Sequence, residues 1–269
     1  MLSKKEIQRY TKQLLLPEIG MKGQVKLKSA KVLVIGAGGL GCPVLQYLAA
    51  AGVGTLGIVD FDVVDETNLQ RQVLYLLEDV GKLKAMIAGE KIMRFNPHIL
   101  VRIISRKLES GNALEIISDY DIVVDCSDNF ETRYLINDTC VLLNKPFVHA
   151  GIHKFEGQLS VFNYRSGPTY RCVFPETHTE ETILNCAFTG VIGTLPGIIG
   201  TFQANEVLKM ITGIGEICSG KILLLNMLTL NFSEIKIRRN ENVWFDIPKT
   251  KEELKKKDYS SGCAVVDLK

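Results

Sequence analysis

Apolar positions recur at helical spacing through residues 4–16 (KKEIQRYTKQLLL), which predicts an amphipathic helix, and a short second helix is predicted to end near Ser29. KVLVIG (31–36) is an unbroken apolar run closed by glycine, the pattern of a strand buried on both faces. A helix over 40–51 and a second apolar run, TLGIVD (55–60), follow. The alternation continues with a helix over 82–95, ended by Asn96-Pro97, and a strand over 99–104. Next come a helix over 112–117, strand DIVVDC (121–126), a helix over 131–143 and strand PFVHAGI (146–152). Strand and helix alternating to about residue 150 predict an α/β fold with a doubly wound, Rossmann-like, mostly parallel sheet.

After residue 150 the rhythm changes. GQLSVFNY (157–164), GKILLLNML (220–228) and LNFSEIKIR (230–238) read as strands without crossover helices, an antiparallel extension of the sheet. Residues 194–213 read as a helix entered through Pro196 and ended at Gly213. Residues 165–190, rich in Thr with scattered Gly and Pro, read as a crossover loop, and loops of that length tend to be functional or disordered. From about 240 the composition shifts: TKEELKKKD (250–258) reads as a solvated charged linker and CAVVDL (263–268) as the beginning of a strand. The organisation expected is therefore N-terminal helices (1–30), a nucleotide-binding half (31–150), an antiparallel and crossover-loop half (151–240), and a linker or truncated start of a C-terminal domain (241–269).

The bulk numbers narrow the function classes. The 269 residues are 46% apolar and 23% charged, ordinary for a chain that buries a sizeable core. A net charge of +2 argues against a nucleic-acid backbone as partner. No apolar run is long enough for a membrane span, and the N-terminus lacks the apolar segment of a secretory signal. Seven scattered cysteines, an odd number, fit a reducing cytoplasm better than a disulfide framework.

The chemistry begins at GAGGLG. Gly36, Gly38 and Gly41 satisfy G-x-G-x-x-G between a predicted strand and helix, and Gly39 adds a fourth glycine. Such a turn lets backbone approach phosphate oxygens at a helix N-terminus. Asp60 ends the second predicted strand, where a carboxylate accepts ribose hydroxyls. Beyond it come Asp62 and the run NLQRQ, with Asn68, Leu69, Gln70 and Arg71, and then Lys84 near the start of the next helix. On spacing alone Arg71 and Lys84 are equally readable as surface charges. A dinucleotide pyrophosphate is already served by the glycine turn, whereas a triphosphate needs further cations. Each contributes on the order of 4 kcal/mol at about 4 Å and an effective dielectric of 20, before desolvation. ATP is thus favoured over NAD.

A second constellation, DCSDNFETR (125–133), follows the strand 121–126, at the carboxyl end where open α/β sheets hold ligands. Asp125 reads as a helix cap or strand end. Asp128 can bind Mg²⁺ beside phosphates, and Asn129 is equally readable as a helix cap.

RYTKQ, GAGGLGCP, VDFDVV, NLQRQ, VGKLK, NPH, DCSDN, GQLSVF, RCVFPE and LPGIIGTFQANEVLK, in this order over about residues 5–240, resemble the ThiF/MoeB/HesA proteins. These are bacterial relatives of ubiquitin-activating enzymes. The molybdopterin-synthase adenylyltransferase (MoeB) branch is nearer than the thiamine-pathway ThiF branch. The resemblance implies a ubiquitin-activating-enzyme-like fold, usually a homodimer. It implies adenylation, with ATP and Mg²⁺, of the C-terminal glycine of a ubiquitin-like sulfur carrier of the MoaD or ThiS type. A separate sulfurtransferase or cysteine desulfurase would then supply sulfur for a thiocarboxylate. By motif position, Gly39 should lie against the nucleotide and Asp60 should hold the ribose. Asn68 and Arg71 should contact phosphates, Lys84 should steady the transferring region, and Asp128 should orient Mg²⁺ or the reacting phosphate, with Asn129 beside it.

Two departures from the family pattern stand out. Lys12 occupies the place of an arginine that, in the family, reaches the neighbouring subunit's site, and lysine lacks the planar fork. The family's two C-x-x-C zinc pairs are reduced to Thr169 and Cys172 in the first, with the second gone near NENVWFD, so no structural zinc is expected. Cys186 matches a cysteine proposed in some members to form an acyl link with the carrier; a spare buried thiol is the equal alternative. An NAD-dependent oxidoreductase and a non-catalytic scaffold binding a ubiquitin-like protein are the competing classes.

Overall fold

The computed structural model describes residues 1–175 and 190–259. Eight strands form one sheet in the order β3-β2-β1-β4-β5-β6-β7-β8. They are β1 (Lys31–Ile35), β2 (Thr55–Val59), β3 (Leu100–Ile104), β4 (Ile122–Asp125), β5 (Phe147–His153), β6 (Glu156–Phe162), β7 (Lys221–Asn226) and β8 (Asn231–Lys236). The first five run parallel, and β5 to β8 pair antiparallel. The mixed α/β sheet expected from the alternation is present, with the strand order reversing between β1 and β4. That is the switch point where ligands settle in such sheets.

Helices cover both faces. One carries α3 (Gly20–Ser29), α4 (Gly41–Ala51), α5 (Lys84–Phe95) and α8 (Thr194–Thr212) around a core that includes Leu45, Leu48, Ile58 and Ile199. The other carries α6 (Ala113–Ser118) and α7 (Phe130–Leu142) over Leu33, Phe147, Phe162 and Tyr170. Gly52 and Gly213, at φ 81° and 82°, end α4 and α8 in the left-handed conformation that releases a helix. Among the described residues, no helix is long and apolar enough to cross a membrane.

Two segments depart from their expectation. The helix predicted over 4–16 is broken into α1 (Lys4–Arg9) and α2 (Thr11–Leu14) at Tyr10. The cause is tertiary: Tyr10 is buried and its hydroxyl accepts from Asn96 Nδ2 at 2.9 Å. The charged stretch 250–258 is not simply solvated either. It forms α9 (Lys251–Lys256), capped by Thr250, with Leu254 fully buried against the α7 face. A buried cluster fastens it there. Asp138 takes Arg171 through two bonds of 2.7 and 2.8 Å and Tyr259 Oη at 2.8 Å, with Lys257 Nζ 3.3 Å away. Spacing misses this because one apolar residue in a six-residue helix leaves no periodic signal.

Candidate nucleotide site

The glycine turn joins β1 to α4. Gly36 has φ +94°, and a Cβ there would stand 2.6 Å from the Cys126 carbonyl oxygen. A Cβ on Gly41 would stand 2.0 Å from the Gly36 carbonyl oxygen. Glycine is thus required at both positions for the backbone to fold back beneath the helix N-terminus. Gly38 and Gly39 have more room: Gly38 faces Gln72 Nε2, and Gly39 faces Pro196 of α8 and the Arg71 side chain. The turn therefore lies between the NLQRQ segment and α8.

Asp60, just past β2, is bound into this turn. Its Oδ2 accepts from Ala37 N at 2.7 Å and its Oδ1 from Asp62 N at 2.9 Å. Burial pushes the Asp60 carboxyl above the usual carboxylate range, against the pull of those two N–H groups and Lys84. Lys84 is the first residue of α5 and is buried, with Nζ 3.0 Å from Asp62 Oδ2. Its backbone N–H donates to Asp62 O at 2.8 Å, and Val63 bridges Leu83, so the start of α5 is held against the chain leaving β2. A lysine with its ammonium removed from water beside a glycine turn is expensive unless it meets anions.

NLQRQ leaves a 3₁₀ turn (Glu66–Asn68), whose last carbonyl accepts the Arg71 and Gln72 N–H groups at 3.0 Å each. Arg71 is half-buried, with Nη1 donating to Thr67 O at 3.1 Å. Leu69 packs on the core, so its side chain serves packing. Gln70 lies against Gly193 at the entry to α8. Asn68 Oδ1 accepts from Asp65 N at 3.4 Å, closing the turn.

The DCSDN segment flanks the turn from the β4 side, since Cys126 N donates to Ile35 O at 2.9 Å. Asp128 is exposed. Asn129 caps α7 through Thr132 N at 2.9 Å and also donates to Asp128 Oδ1 at 3.3 Å, so the cap and the neighbour of Asp128 are one residue. Asp125 is fully buried beneath them.

The structure thus gathers Gly36, Gly38, Gly39, Gly41, Asp60, Asp62, Arg71 and Lys84 around one turn, with Asp128 and Asn129 on the adjoining loop. It does not bring Lys12 there. Lys12 is exposed on α2, whose Gln13 donates to Ala51 O at the far end of α4, about 16 Å along that helix from the turn. Cys186 lies outside the described residues. Two residues were missed by spacing. Gln72 is buried beside Gly38, its Oε1 without a partner among the described residues. Tyr75 donates to Ala37 O at 2.7 Å and lies 3.4 Å from Lys84 O. Both fall in a segment with neither helical nor strand periodicity, so no pattern marks them as inward-facing.

At the place of the family's zinc pairs, Cys172 Sγ accepts from Thr169 N and Asn240 N at 3.4 Å each. Val243, in the NENVWFD stretch where the second pair would fall, is buried. One thiol with a hydroxyl, an amide and an isopropyl group is not the sulfur- and imidazole-rich donor set of structural zinc, and these residues do not fit the metal.

A family model described as the ThiF family matches residues 10–245. The sulfur carrier protein adenylyltransferase of Thermus thermophilus is 46% identical over 270 residues, 98% of this chain and 98% of that protein. The adenylyltransferase and sulfurtransferase MOCS3 of Xenopus laevis is 47% identical over 262 residues, 97% of this chain but 58% of that protein. The chain thus spans little more than half the length of the MOCS3 proteins it matches. A crystal structure of E. coli MccB with ATP superposes with a TM-score of 0.74 at 26% identity, covering 81% of this chain and 66% of that one.

Proposed function

Because this chain belongs to the ThiF family, we propose that it uses ATP to adenylate the C-terminal glycine carboxylate of a ubiquitin-like sulfur carrier. The observation that carries the reading is Lys84, whose buried ammonium stands beside Asp60 and Asp62 at the glycine turn. A carrier carboxylate oxygen attacks the α-phosphorus, the bond from that phosphorus to the bridging oxygen breaks, and pyrophosphate leaves with the electron pair. An α-carboxylate has a pKa near 3.5, so the nucleophile is already ionised and no general base is needed. Catalysis then rests on positioning and on cations that offset anion approaching anion.

Each residue has a role in this reading. Gly36 to Gly41 cradle phosphate oxygens with N–H groups at the start of α4, and Asp60 accepts the ribose hydroxyls. Arg71 and Asn68 hold phosphates. Lys84 exchanges its contact with Asp62 for the oxygens of the transferring phosphoryl group. Asp128, an exposed carboxylate, suits Mg²⁺ held by one or two carboxylates and phosphate oxygens, which would supply charge neutralisation.

The carrier is of the MoaD type in this reading, with a ThiS-type carrier as the alternative, and sulfur arrives from a separate sulfurtransferase or cysteine desulfurase. The antiparallel half offers a docking face: β8 is exposed along its length, with Phe232 and Ile235 open to solvent. A homodimer accounts for Lys12, which lies away from its own turn and would reach a second copy's phosphates. Exposed Val73, Leu76, Leu77 and Val80, beside the site, support such an apolar contact.

ATP–pyrophosphate exchange with purified carriers of each type tests the reading. The cognate carrier should stimulate exchange. Arg71→Ala or Lys84→Ala should lower it by about 10²–10³-fold with the fold intact. Near-normal exchange in both variants would remove them from the mechanism.

A further inference from the structure

Asp125 and His149 form a hydrogen-bonded pair inside the protein, both removed from solvent. They are register partners on adjacent parallel strands, Asp125 at the end of β4 and His149 inside β5, so both side chains leave the sheet on the α7 face. His149 Nδ1 stands 2.7 Å from Asp125 Oδ2, and the residues are 2% and 0% exposed. The other carboxylate oxygen folds back on the chain beyond β4. Asp125 Oδ1 accepts from Ser127 N at 3.0 Å and from Ser127 Oγ at 2.6 Å.

These bonds decide where the next residue goes. Ser127 is drawn inward and buried, and Asp128 is turned out to solvent. The remaining tethers leave the turn little freedom. Arg133 Nη2 donates to Ser127 O at 3.1 Å, and Asn129 caps α7. On the opposite face of the sheet, buried Gln203 donates to Asp125 O at 2.8 Å and lies 3.5 Å from Cys126 Sγ. Asp128 is thus flanked on each side by a residue whose place is fixed, and Asp125 holds one of them, Ser127, by two bonds.

The ring of His149 has a single job in this arrangement. Its Nδ1–H satisfies the outer carboxylate oxygen, while Phe162 and Tyr170 pack at 5.9 and 4.9 Å between ring centroids and fix its plane. Burial lowers its pKa against the pull of Asp125, so the ring is a neutral donor at neutral pH. Burial raises the Asp125 carboxyl, but His149, Arg133 and Ser127 outweigh it and hold the group below the usual range.

We propose that Asp125, anchored by His149, is the positioning residue for Asp128, setting its carboxylate at the nucleotide without touching the reactants. The inference rests on the adenylation reading and extends it to two buried residues that the site itself does not include. Misplacement of a reacting group by about 1 Å costs on the order of 10²-fold in rate.

Steady-state exchange kinetics with ATP and the carrier, beside thermal melting, test the proposal. Wild-type exchange and its loss in Asp128→Ala establish the baseline: a wild type without exchange defeats the adenylation reading, whereas normal exchange in Asp128→Ala beside an active wild type overturns this proposal. Asp125→Ala should lower kcat by about 30-fold or more with KM for ATP changed less than about threefold. Asp125→Asn, which can still accept from Ser127, should recover most of that loss. Likewise His149→Asn, whose amide can replace the Nδ1–H donor, should exceed His149→Leu in kcat. If Asp125→Ala does not fold, Ser127→Ala, which removes one of the two bonds, should still lower kcat by about threefold or more. Wild-type kcat in Asp125→Ala, or in Ser127→Ala where the former is unfolded, overturns the proposal. So do losses in the Asn variants as large as in the Ala and Leu variants.

Discussion

The hydroxyl of Tyr75 donates to the carbonyl of Ala37 at 2.7 Å, tying the segment that carries Arg71 to the middle of the glycine turn. The same hydroxyl lies 3.4 Å from Lys84 O, so one side chain bridges the turn and the first residue of α5. Burial pushes the phenol far above its ordinary pKa, and it remains a donor at any accessible pH. Tyr75→Phe keeps the ring in its place and removes only the donor. Stability should fall by about 1 kcal/mol, the ordinary worth of such a bond. Exchange should fall further than that stability change explains, because the cation-bearing segment is no longer registered to the turn. A melting curve and exchange kinetics together check it, and an unchanged exchange rate would make Tyr75 a packing residue only.

The glycines should separate by substitution. A methyl group on Gly41 would meet the Gly36 carbonyl oxygen, backbone that cannot swing aside. Gly41→Ala should therefore destabilise the protein by on the order of 1–3 kcal/mol as well as impair ATP use. At Gly38 the nearest atom is Gln72 Nε2 at 3.5 Å, an ordinary contact. Gly38→Ala should melt like the wild type yet raise KM for ATP, since in the proposed adenylation reading the methyl group would enter the phosphate-binding turn. If both variants melt normally, the backbone approach at Gly41 is looser than described.

The parallel half of the fold was legible because its strands are buried on both faces and so read as continuous apolar runs, as KVLVIG and DIVVDC do. The glycine turn was legible for a different reason: a positive φ and two close backbone approaches leave glycine alone at Gly36 and Gly41, and the spacing records that constraint. Arg71 and Lys84 were visible as charges but not as neighbours. Only the folding of 61–84 back over the turn, through the bonds from Lys84 N to Asp62 O and from Tyr75 to Ala37, brings them to one place. Asp125 was read as a cap or strand end, and its pairing with His149 depends on the register of β4 against β5, which no local pattern reports. The break at Tyr10 and the docking of Leu254 are likewise tertiary outcomes overriding local propensity.

Metal content offers an independent check on the chain around Cys172. The family resemblance implied a zinc clamp in that region, whereas here Cys172 Sγ takes two backbone N–H groups, from Thr169 and Asn240. The C-terminal segment is held further on by the Asp138, Arg171, Lys257 and Tyr259 cluster. Elemental analysis of the purified protein should find no stoichiometric zinc, and a strong chelator should leave its melting temperature unchanged. One zinc per chain, or a marked loss of stability on chelation, would contradict this account.

Acid should loosen the N-terminal helices through Glu6. Its carboxylate closes a capping box with Ser3, accepting Ser3 N at 2.7 Å, and reaches across to Lys28 Nζ of α3 at 2.8 Å. Burial raises the Glu6 pKa, but Lys28 and the Ser3 donors outweigh it and lower the group from an ordinary 4.5 to about 2. A carboxyl depressed on folding stabilises the folded state fully above its unfolded pKa. That contribution is then lost as pH falls from about 4.5 through about 2. Because Lys28 is 37% exposed, solvent screening limits the pair to on the order of 1–2 kcal/mol. Glu6→Gln should be less stable than the wild type by that amount at pH 7, and the gap should narrow steadily as pH drops below 4.5. Urea titrations at pH 7, 4 and 3 read the difference directly, and a gap that stays constant across them would mean that the charge on Glu6 does not hold α1 to α3.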